Sequence, residues 1–307
     1  MYEAHYGFTE TPFSILPDPS FLYLGRRHAL AYATLEYGIE HRAGFTVITG
    51  EIGSGKTTLI RHLLNQVDQD ITVGLISNTR IEADDLLRWI LLAFDQPYDG
   101  TCRVRLFDQF QQYLIDRYAA RRRVVLIIDE AQNFSAATLE ELRMLSNINA
   151  DQHQLLQVIM AGQPRFRDLM RHPDLTQLAQ RVTADFHISP LSADEVPKYI
   201  THRLKVAGRI EPLFEDDAVA RIAAIAQGVP RTINLLCDTA LVYGFAAGTQ
   251  RISADLIEEV IADKRRFGSL SLLAEHMRVS VLADARPRGD RSEPADLGRY
   301  GTTGSEP

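Results

Sequence analysis

Eight consecutive residues constrain this chain more than any other segment. Residues 50–57 read Gly-Glu-Ile-Gly-Ser-Gly-Lys-Thr and match the phosphate-binding loop pattern G-x-x-x-x-G-K-[ST] in full. A short β-prone run at 45–49 precedes the loop, and residues 58–64 after it have the composition of a helix. Since this pattern rarely falls between a strand and a helix by chance, the segment predicts a strand, a phosphate-binding loop and a helix in succession.

The residue types of this loop each have a chemical role. Glycines allow the backbone to curl so that successive N–H groups face one anion, and the following helix adds its partial positive charge. Lys56 reaches the β- and γ-phosphates, and the Thr57 hydroxyl ligates Mg²⁺. The pattern therefore predicts ATP and Mg²⁺ as cofactors. The predicted nucleotide-binding residues of the loop are Gly50, Glu51, Ile52, Gly53, Ser54, Gly55, Lys56, Thr57 and Thr58.

Composition limits the other function classes. With 307 residues, 45% hydrophobic and 24% charged, the chain is typical of a soluble globular protein of about two domains. The net charge of -7 gives no overall attraction to nucleic acid or anionic lipid. Cys102 and Cys237 are far apart in sequence, which argues against a disulfide framework or a thiolate zinc site. Neither a signal peptide nor a membrane span is predicted, and a cytoplasmic location is expected.

Alternating strands and helices predict an α/β fold up to about residue 190. The predicted strands cover residues 45–49, 71–76, 124–128, 155–161 and 186–188, and the helices between them cover 28–40, 84–94, 106–119 and 138–145. This alternation predicts a parallel sheet covered by helices on both faces, the three-layer αβα arrangement of P-loop NTPases. The arginines at 121–123 follow a helix and are interpreted as its solvated end rather than as a nucleic-acid patch.

The rest of the chain divides into an arm, a lid and a tail. Residues 1–24, the N-terminal arm, are rich in aromatic residues and proline and are expected to be ordered. Residues 25–190 form the predicted ATPase core, and 191–268 form a small all-α lid with helices at 194–207, 216–227, 232–246 and 254–267. Residues 269–307 are a polar tail, expected to be disordered from about 285.

Two acidic residues follow the apolar run 124–128. At the end of that strand Asp129 would lie beside the phosphate-binding loop and hold the metal, together with Thr57. Glu130 would orient and deprotonate the attacking water. Because the loop precedes this pair in the chain, a catalytic role is preferred to two solvated acids at a strand end.

Three further polar residues are candidates for the catalytic site. Gln163 follows the strand at 155–161 and would hydrogen-bond the γ-phosphate or the attacking water; the alternative is a turn residue before a proline. Arg231 opens a lid helix, which is an electrostatically poor place for a cation, so it is predicted to reach the γ-phosphate. Arg181 is a candidate arginine finger for a neighbouring subunit, against a plain surface ion pair. The arginines that compete with it for that role are Arg165, Arg167 and Arg171.

These motifs occur in the order found in AAA+ ATPases, and the chain resembles that class over about 260 residues. A finer set is similar to the ExeA/GspA-like ATPases of bacterial secretion and surface-assembly systems. That set comprises Met1-Tyr2-Glu3, Tyr6-Gly7-Phe8, Pro12-Phe13, Pro17-Asp18-Pro19, Phe21-Leu22-Tyr23, His28, Tyr37-Gly38-Ile39, Gly50-Glu51-Ile52-Gly53, Asp129-Glu130-Ala131-Gln132, Ala161-Gly162-Gln163-Pro164 and Gly228-Val229-Pro230-Arg231-Thr232-Ile233-Asn234.

The resemblance implies a five-stranded sheet in the order 5-1-4-3-2 and an α-helical lid. It also implies a homo-oligomer with ATP bound between the two domains near subunit boundaries, and an N-terminal arm whose aromatic residues flank the adenine. Larger secretion members carry a membrane helix and a peptidoglycan-binding domain after the ATPase, whereas this sequence ends in a polar tail.

The leading hypothesis is an ATPase that drives assembly or remodelling of an envelope-associated secretion, pilus or exopolysaccharide system. It would be cytoplasmic, either free or held at the inner membrane by a protein partner. The alternative is an ATP-switched DNA-binding or transposition-helper ATPase, which the acidic net charge disfavours. A nucleotide-binding scaffold without hydrolysis is a third interpretation, and the intact Asp129–Glu130 pair argues against it.

Overall fold

A computed structural model describes residues 1–77, 80–99, 102–150 and 153–267. Met1–Val260 form one compact unit, and a second unit covers Ile261–Pro307. The predicted tail, 269–307, lies outside the described residues, so the disorder expected from about residue 285 stays a prediction. Within the described part of the chain, none of the helices is both long enough and apolar enough to cross a membrane.

Five parallel strands form the central sheet: β1 (Phe45–Gly50), β2 (Ile71–Ile76), β3 (Arg123–Ile128), β4 (Leu156–Gly162) and β5 (Val182–Ile188). Their spatial order is β2-β3-β4-β1-β5. Read from the other edge this is 5-1-4-3-2, so the expected order and the α/β class are confirmed. The strands β1 and β4 are buried at every position, as expected for central strands covered on both faces, and their sequences are mostly apolar.

The helices are α1 (Glu3–Tyr6), α2 (Arg26–Glu40), α3 (Lys56–Leu64), α4 (Leu86–Ala93), α5 (Arg103–Ala119), α6 (Ala136–Leu145), α7 (Pro164–Met170), α8 (Thr176–Ala179), α9 (Glu195–Val206), α10 (Asp216–Ala226), α11 (Pro230–Ala246) and α12 (Ala254–Phe267). Each predicted helix is present, with ends that agree to within a few residues, and the structure adds α1, α7 and α8. Short 3₁₀ turns lie at Pro19–Phe21, Ala131–Asn133 and Pro173–Leu175, and a small antiparallel pair joins Asn149–Ala150 to His153–Gln154.

The strand β5 is longer than predicted and begins at Val182 instead of residue 186. It is an edge strand with a mixed pattern of buried and exposed positions, so only its last residues carry a strong apolar signal. The small antiparallel pair and the helices α1, α7 and α8 were not predicted. Their segments are short, and two-residue strands carry no periodicity that a sequence could reveal.

Side chains on the two faces of the sheet enter two separate apolar clusters. On one face Phe45 and Leu126 pack with α4, α5 and α6, and on the other Ile48 and Ile127 pack with α2 and α3. Alternate residues of a strand point to opposite faces, so one apolar run serves both clusters. Each fully buried side chain of this size contributes about 1.5–3 kcal/mol. This double cover fixes the position of the loops at the carboxyl end of the sheet.

Candidate functional site

The phosphate-binding loop lies between the end of β1 and the start of α3. Gly53 and Gly55 have φ values of +79° and +94°, in the left-handed region that glycine adopts most readily. Gly53 also has a neighbour that leaves no room for a side chain, because a Cβ there would lie 2.3 Å from the Cβ of Arg231. The curl predicted from the glycines is therefore present, and the start of α11 packs directly on it.

Lys56 is the first residue of α3 and is almost completely buried, with 5% of its surface exposed. Its ammonium donates to the carbonyl oxygens of Gly50 at 2.8 Å and Glu51 at 3.0 Å. Burial lowers the pKa of Lys56, and the nearby carboxylates of Glu130 and Asp129 oppose this shift. The lysine thus lies within the loop, where an anionic ligand would stabilise its charged form.

Thr57 and Asp129 join the loop to the end of β3. The Thr57 hydroxyl donates to Asp129 Oδ2 at 2.7 Å, and Asp129 itself is 8% exposed. The threonine oxygen keeps its lone pairs when its hydrogen is donated in this way. Threonine and carboxylate oxygens are ligands that Mg²⁺ prefers, with water and phosphate oxygens as its usual remaining ligands. These two residues therefore fit the metal that the sequence predicts.

Glu130 has an unusual backbone conformation and a well-held carboxylate. Its φ of 57° is left-handed, at the point where β3 turns into the 3₁₀ segment. Its Oε2 accepts hydrogen bonds from Gln132 Nε2 and, at 3.2 Å, from Gln163 Nε2. Gln132 Oε1 in turn accepts the backbone N–H of Gln163 at 2.9 Å. Two side-chain amides thus hold the carboxylate of the candidate base.

The structure places Gln163 against Glu130, beyond the end of the neighbouring strand β4. Contact of Gln163 with the γ-phosphate or the attacking water stays a prediction beside this observed contact. The amide acts on the position of the carboxylate, and through it on any water that the carboxylate contacts.

Arg231 lies where the lid meets the loop. Its backbone N–H donates to the carbonyl oxygen of Gly53 at 3.2 Å, and its side chain is exposed beside the cavity described below. His28 supports the loop from the other side, with its Nε2 2.8 Å from the carbonyl oxygen of Ser54. Because a carbonyl oxygen can only accept, Nε2 is the donor; burial lowers the pKa of His28, which favours the neutral ring.

A cavity of about 190 Å³ opens beside these groups. The loop and Glu130 form one wall, the start of α11 with Arg231 forms another, and the arm residues 14–18 and 21–23 form a third. This volume is below the roughly 300–1,000 Å³ of common ligand pockets. A whole nucleotide would therefore extend from the cavity along the loop, or move the arm outward.

The arm is fixed over the cavity by Arg203 of α9. This arginine is 7% exposed, and it donates from Nε to the Pro12 carbonyl at 2.6 Å and from Nη2 to the Ser14 carbonyl at 3.2 Å. Its guanidinium lies 4.5 Å from the ring centre of Phe21, in a cation–π arrangement. Asn234 adds a second bond to the Ser14 carbonyl at 3.2 Å. Lid side chains therefore determine the path of the arm.

The aromatic residues of the arm separate into two groups. Phe21 and Tyr23 line the cavity, where the family resemblance expects the adenine. Tyr2 and Tyr6 pack instead on α11, where their hydroxyls donate to Asp238 and to the Leu241 carbonyl. Only part of the predicted aromatic pocket therefore faces the cavity, and the remainder secures the arm to the lid.

Arg181 is far from the loop of its own chain. It precedes Val182, which pairs with Phe45 at the amino end of β1, whereas the loop begins after Gly50 at the other end. The five residues of β1 that follow Phe45 place its amino end about 17 Å from the end that leads into the loop. Arg181 donates to Ser146 Oγ at 3.1 Å. Only another subunit could use it at a phosphate, as the arginine-finger prediction requires.

Among the competitors for that role, Arg165 is nearer to the site of its own chain. Its Nη2 lies 3.5 Å from the carbonyl oxygen of Gln132, next to the candidate base. Arg171 pairs with Asp168 at 3.3 Å on the surface.

Sequence reasoning missed three residues of the site. Gln132 and His28 were noticed only as parts of a family signature, and Arg203 was not noticed. Arg203 had a readable signal, because it lies four residues after Tyr199 on the buried face of α9, where a charged residue is rare. Gln132 had none, since its role depends on the left-handed turn at Glu130.

Comparison with known proteins agrees with this geometry. Residues 39–170 match the AAA domain family. Over 253 residues, 82% of this chain, the sequence is 42% identical to General secretion pathway protein A of Aeromonas hydrophila, and it spans 46% of that relative's length. The resemblance expected from the sequence motifs is confirmed.

Solved structures show the same fold at low sequence identity. The ORC2 protein of Aeropyrum pernix, in ADPNP–ADP complexes, has a TM-score of 0.65 and 16% identity over 83% of this chain and 72% of its own. The DNA-bound ORC of Drosophila has a TM-score of 0.60 and 18% identity over 83% of this chain and 63% of its own. Residues 39–170 therefore match the AAA domain family, and the chain as a whole is similar to General secretion pathway protein A over about half of that relative's length.

Proposed function

We propose that this protein binds ATP with Mg²⁺ and hydrolyses it. One observation carries the proposal: the buried Lys56, the Thr57–Asp129 hydrogen bond of 2.7 Å and the held carboxylate of Glu130 converge on one glycine-rich loop. A lysine at a glycine-rich helix N-terminus suits phosphate oxygens, and the two adjacent carboxylates suit the metal ion and the water that phosphate hydrolysis requires.

The residues divide the work of hydrolysis among them. The N–H groups of the loop and Lys56 bind the phosphates and offset their charge. Thr57 and Asp129 would hold Mg²⁺, which would supply positive charge next to the phosphates. Glu130 accepts a proton from the attacking water, and Gln132 and Gln163 hold its carboxylate in place.

Arg231 completes the site from the lid. Its guanidinium is exposed beside the loop, so it can contact the γ-phosphate and make the lid position sensitive to the nucleotide state.

Two substitutions test the proposal. Lys56→Ala removes the cation of the loop and is expected to abolish binding of a fluorescent ATP analogue. Glu130→Gln keeps the shape and the loop but removes the base, and it should retain binding while phosphate release falls by at least about a hundredfold. Equal turnover in Glu130→Gln and in the unaltered protein would remove Glu130 from the role of base.

Arg181 is proposed to act on the nucleotide of a neighbouring subunit. Subunits with Arg181→Ala and subunits with Lys56→Ala should each be inactive alone. Mixed, they should regain part of the phosphate release, because each supplies what the other lacks. Mixtures as inactive as the separate variants would exclude this role, and the same experiment with Arg165→Ala provides the comparison.

The process served is proposed from the relative, whose name links it to the general secretion pathway. We infer that ATP turnover here drives assembly or remodelling of an envelope-associated secretion, pilus or exopolysaccharide system. The protein would act in the cytoplasm or at the inner membrane through a partner. Isolating the complex that Glu130→Gln retains with ATP, but not with ADP, tests this proposal. A transposition or DNA-binding partner in that complex would overturn it.

A further inference from the structure

A second concavity, of about 690 Å³, lies at the amino end of the sheet, the edge opposite the phosphate-binding loop. Three separate segments contribute to it: the turn after α2, the turn between α5 and β3, and the start of β4. The side chains that matter here are Arg42, Arg121, Arg122, Arg123 and Gln157. Sequence reasoning interpreted the run 121–123 alone as a helix end, because it could not associate Arg42 with it.

The positive charge in this concavity is largely uncompensated. Arg123 lies 3.7 Å from Asp70 and donates to the Ile39 carbonyl at 3.2 Å. Arg42, Arg121 and Arg122 are exposed, and no ion pair involving them occurs in the part of the chain that the structure describes. Such a local excess on a chain of net charge -7 attracts anions to one place.

Gln157 forms a buried polar floor, with 5% of its surface exposed. Its Nε2 donates to the carbonyl oxygens of Gly38 at 3.2 Å and Ile39 at 3.3 Å, and these two acceptors determine which way the amide faces. Its Oε1 is left buried without a partner. An unsatisfied buried acceptor costs about 1–3 kcal/mol, so a ligand hydroxyl that reaches it through a small shift of the Gln157 side chain would be stabilised.

We propose that this concavity binds a phosphate ester that also carries a hydroxyl group. Arg121 and Arg122 contact the phosphate oxygens, since the planar guanidinium matches phosphate geometry. Gln157 Oε1 accepts a hydrogen bond from the hydroxyl. A nucleic acid is a poorer fit, because the arginines converge on one concavity instead of following a chain of phosphates.

Two sources offer this chemistry, and the experiment separates them. One is a free molecule such as sn-glycerol 3-phosphate, and the other is the headgroup of phosphatidylglycerol in a vesicle. Binding of sn-glycerol 3-phosphate is measured by calorimetry at low salt. Sedimentation with vesicles of phosphatidylglycerol in phosphatidylcholine is compared with vesicles of phosphatidylcholine alone.

The double variant Arg121→Glu/Arg122→Glu should weaken binding at least about tenfold, because charge reversal repels the phosphate. The matched control is Arg105→Glu/Arg251→Glu, which makes the same change of charge at two exposed arginines elsewhere. It should bind as the unaltered protein does. Arg121→Lys/Arg122→Lys should retain part of the affinity, since it keeps charge and loses the planar contact.

Each outcome decides the proposal. Binding of glycerol phosphate alone identifies a soluble ligand, and binding of phosphatidylglycerol vesicles alone identifies the headgroup. If neither binds, or if both double charge reversals weaken binding equally, the proposal is wrong. Lys56→Ala should still bind the phosphate ester, because Lys56 lies at the opposite end of the sheet from the concavity. If Lys56→Ala lost this binding, the phosphate-binding loop would be the site being measured and the proposal would be wrong.

Discussion

The contact between Gly53 and Arg231 allows a sharp test of how the lid reaches the phosphate-binding loop. In Gly53→Ala the new Cβ would lie 2.3 Å from the Arg231 Cβ, in a residue whose φ is +79°. An L-residue costs about 1–2 kcal/mol in this conformation. Carbon atoms attract each other best at about 3.5–4.0 Å, so the loop and the start of α11 must separate by roughly 1.2–1.7 Å.

That separation should weaken nucleotide binding in addition to the strain that the substitution places on the fold. A shift of about 1 Å in a catalytic site is enough to lower the reaction rate up to a hundredfold. For ATP binding we expect at least a tenfold loss of affinity, which corresponds to ~1.4 kcal/mol. The assay is titration of a fluorescent ATP analogue with Mg²⁺, alongside urea unfolding of the same sample.

The matched control is Gly248→Ala, at a φ of +69° with nothing within 4 Å of the new Cβ. It carries the same backbone strain without the contact, so it should lose about 1 kcal/mol of unfolding free energy and keep its affinity. Gly53→Ala should also be combined with each of two changes at Arg231. Added to Arg231→Ala, which keeps the obstructing Cβ, it should lower the ATP affinity further. Added to Arg231→Gly, which lacks that Cβ, it should cause no further loss of affinity. Equal ATP affinity in Gly53→Ala and Gly248→Ala would refute the reasoning.

Two other predictions concern the arm and the support of the loop. Arg203→Met removes charged hydrogen bonds to two arm carbonyls and should lower the unfolding free energy, measured in urea, by about 3 kcal/mol. The control Arg221→Met, at an exposed ion pair, should cost less than about 1 kcal/mol. Similar losses in the two variants would contradict the idea that Arg203 holds the arm in place. Burial lowers the pKa of His28 in the folded protein. Its neutral ring therefore contributes stability above about pH 6.5. This contribution is lost as the pH falls, because the unfolded chain then binds a proton at His28 more readily than the folded protein does. His28→Gln should flatten that acid-side decline in unfolding experiments, leaving the share due to His202, and an unchanged slope would exclude His28 as its source.

Local patterns explain why much of the fold was predictable. The loop motif, the apolar run before Asp129 and the alternation of strands and helices are each read within a few residues, and together they specify a three-layer parallel sheet. The strand order came from resemblance, because no local pattern encodes which strands are neighbours. Edge strand β5 was shortened in prediction because its first residues are only partly buried.

The parts of the site that escaped prediction depend on distant contacts. Arg203 meets Pro12 across 191 residues, and Gln132 becomes useful only because Glu130 turns left-handed. The contact of Gln163 with Glu130 escaped prediction for the same reason, since that turn brings the Glu130 carboxylate within reach of its amide. Likewise, Arg42 joins the arginines at 121–122 only when α2 and α5 end at the same edge of the sheet.

The attachment of the arm to α11 also bears on how the protein is made. Tyr2 bonds to Asp238, and 236 positions of sequence separate them. A ribosome therefore completes the aromatic segment long before its docking surface exists, and at roughly 5–20 residues per second this interval lasts on the order of ten seconds or more. During that time several large aromatic rings remain without their final cover, which makes the nascent arm a natural client for a chaperone.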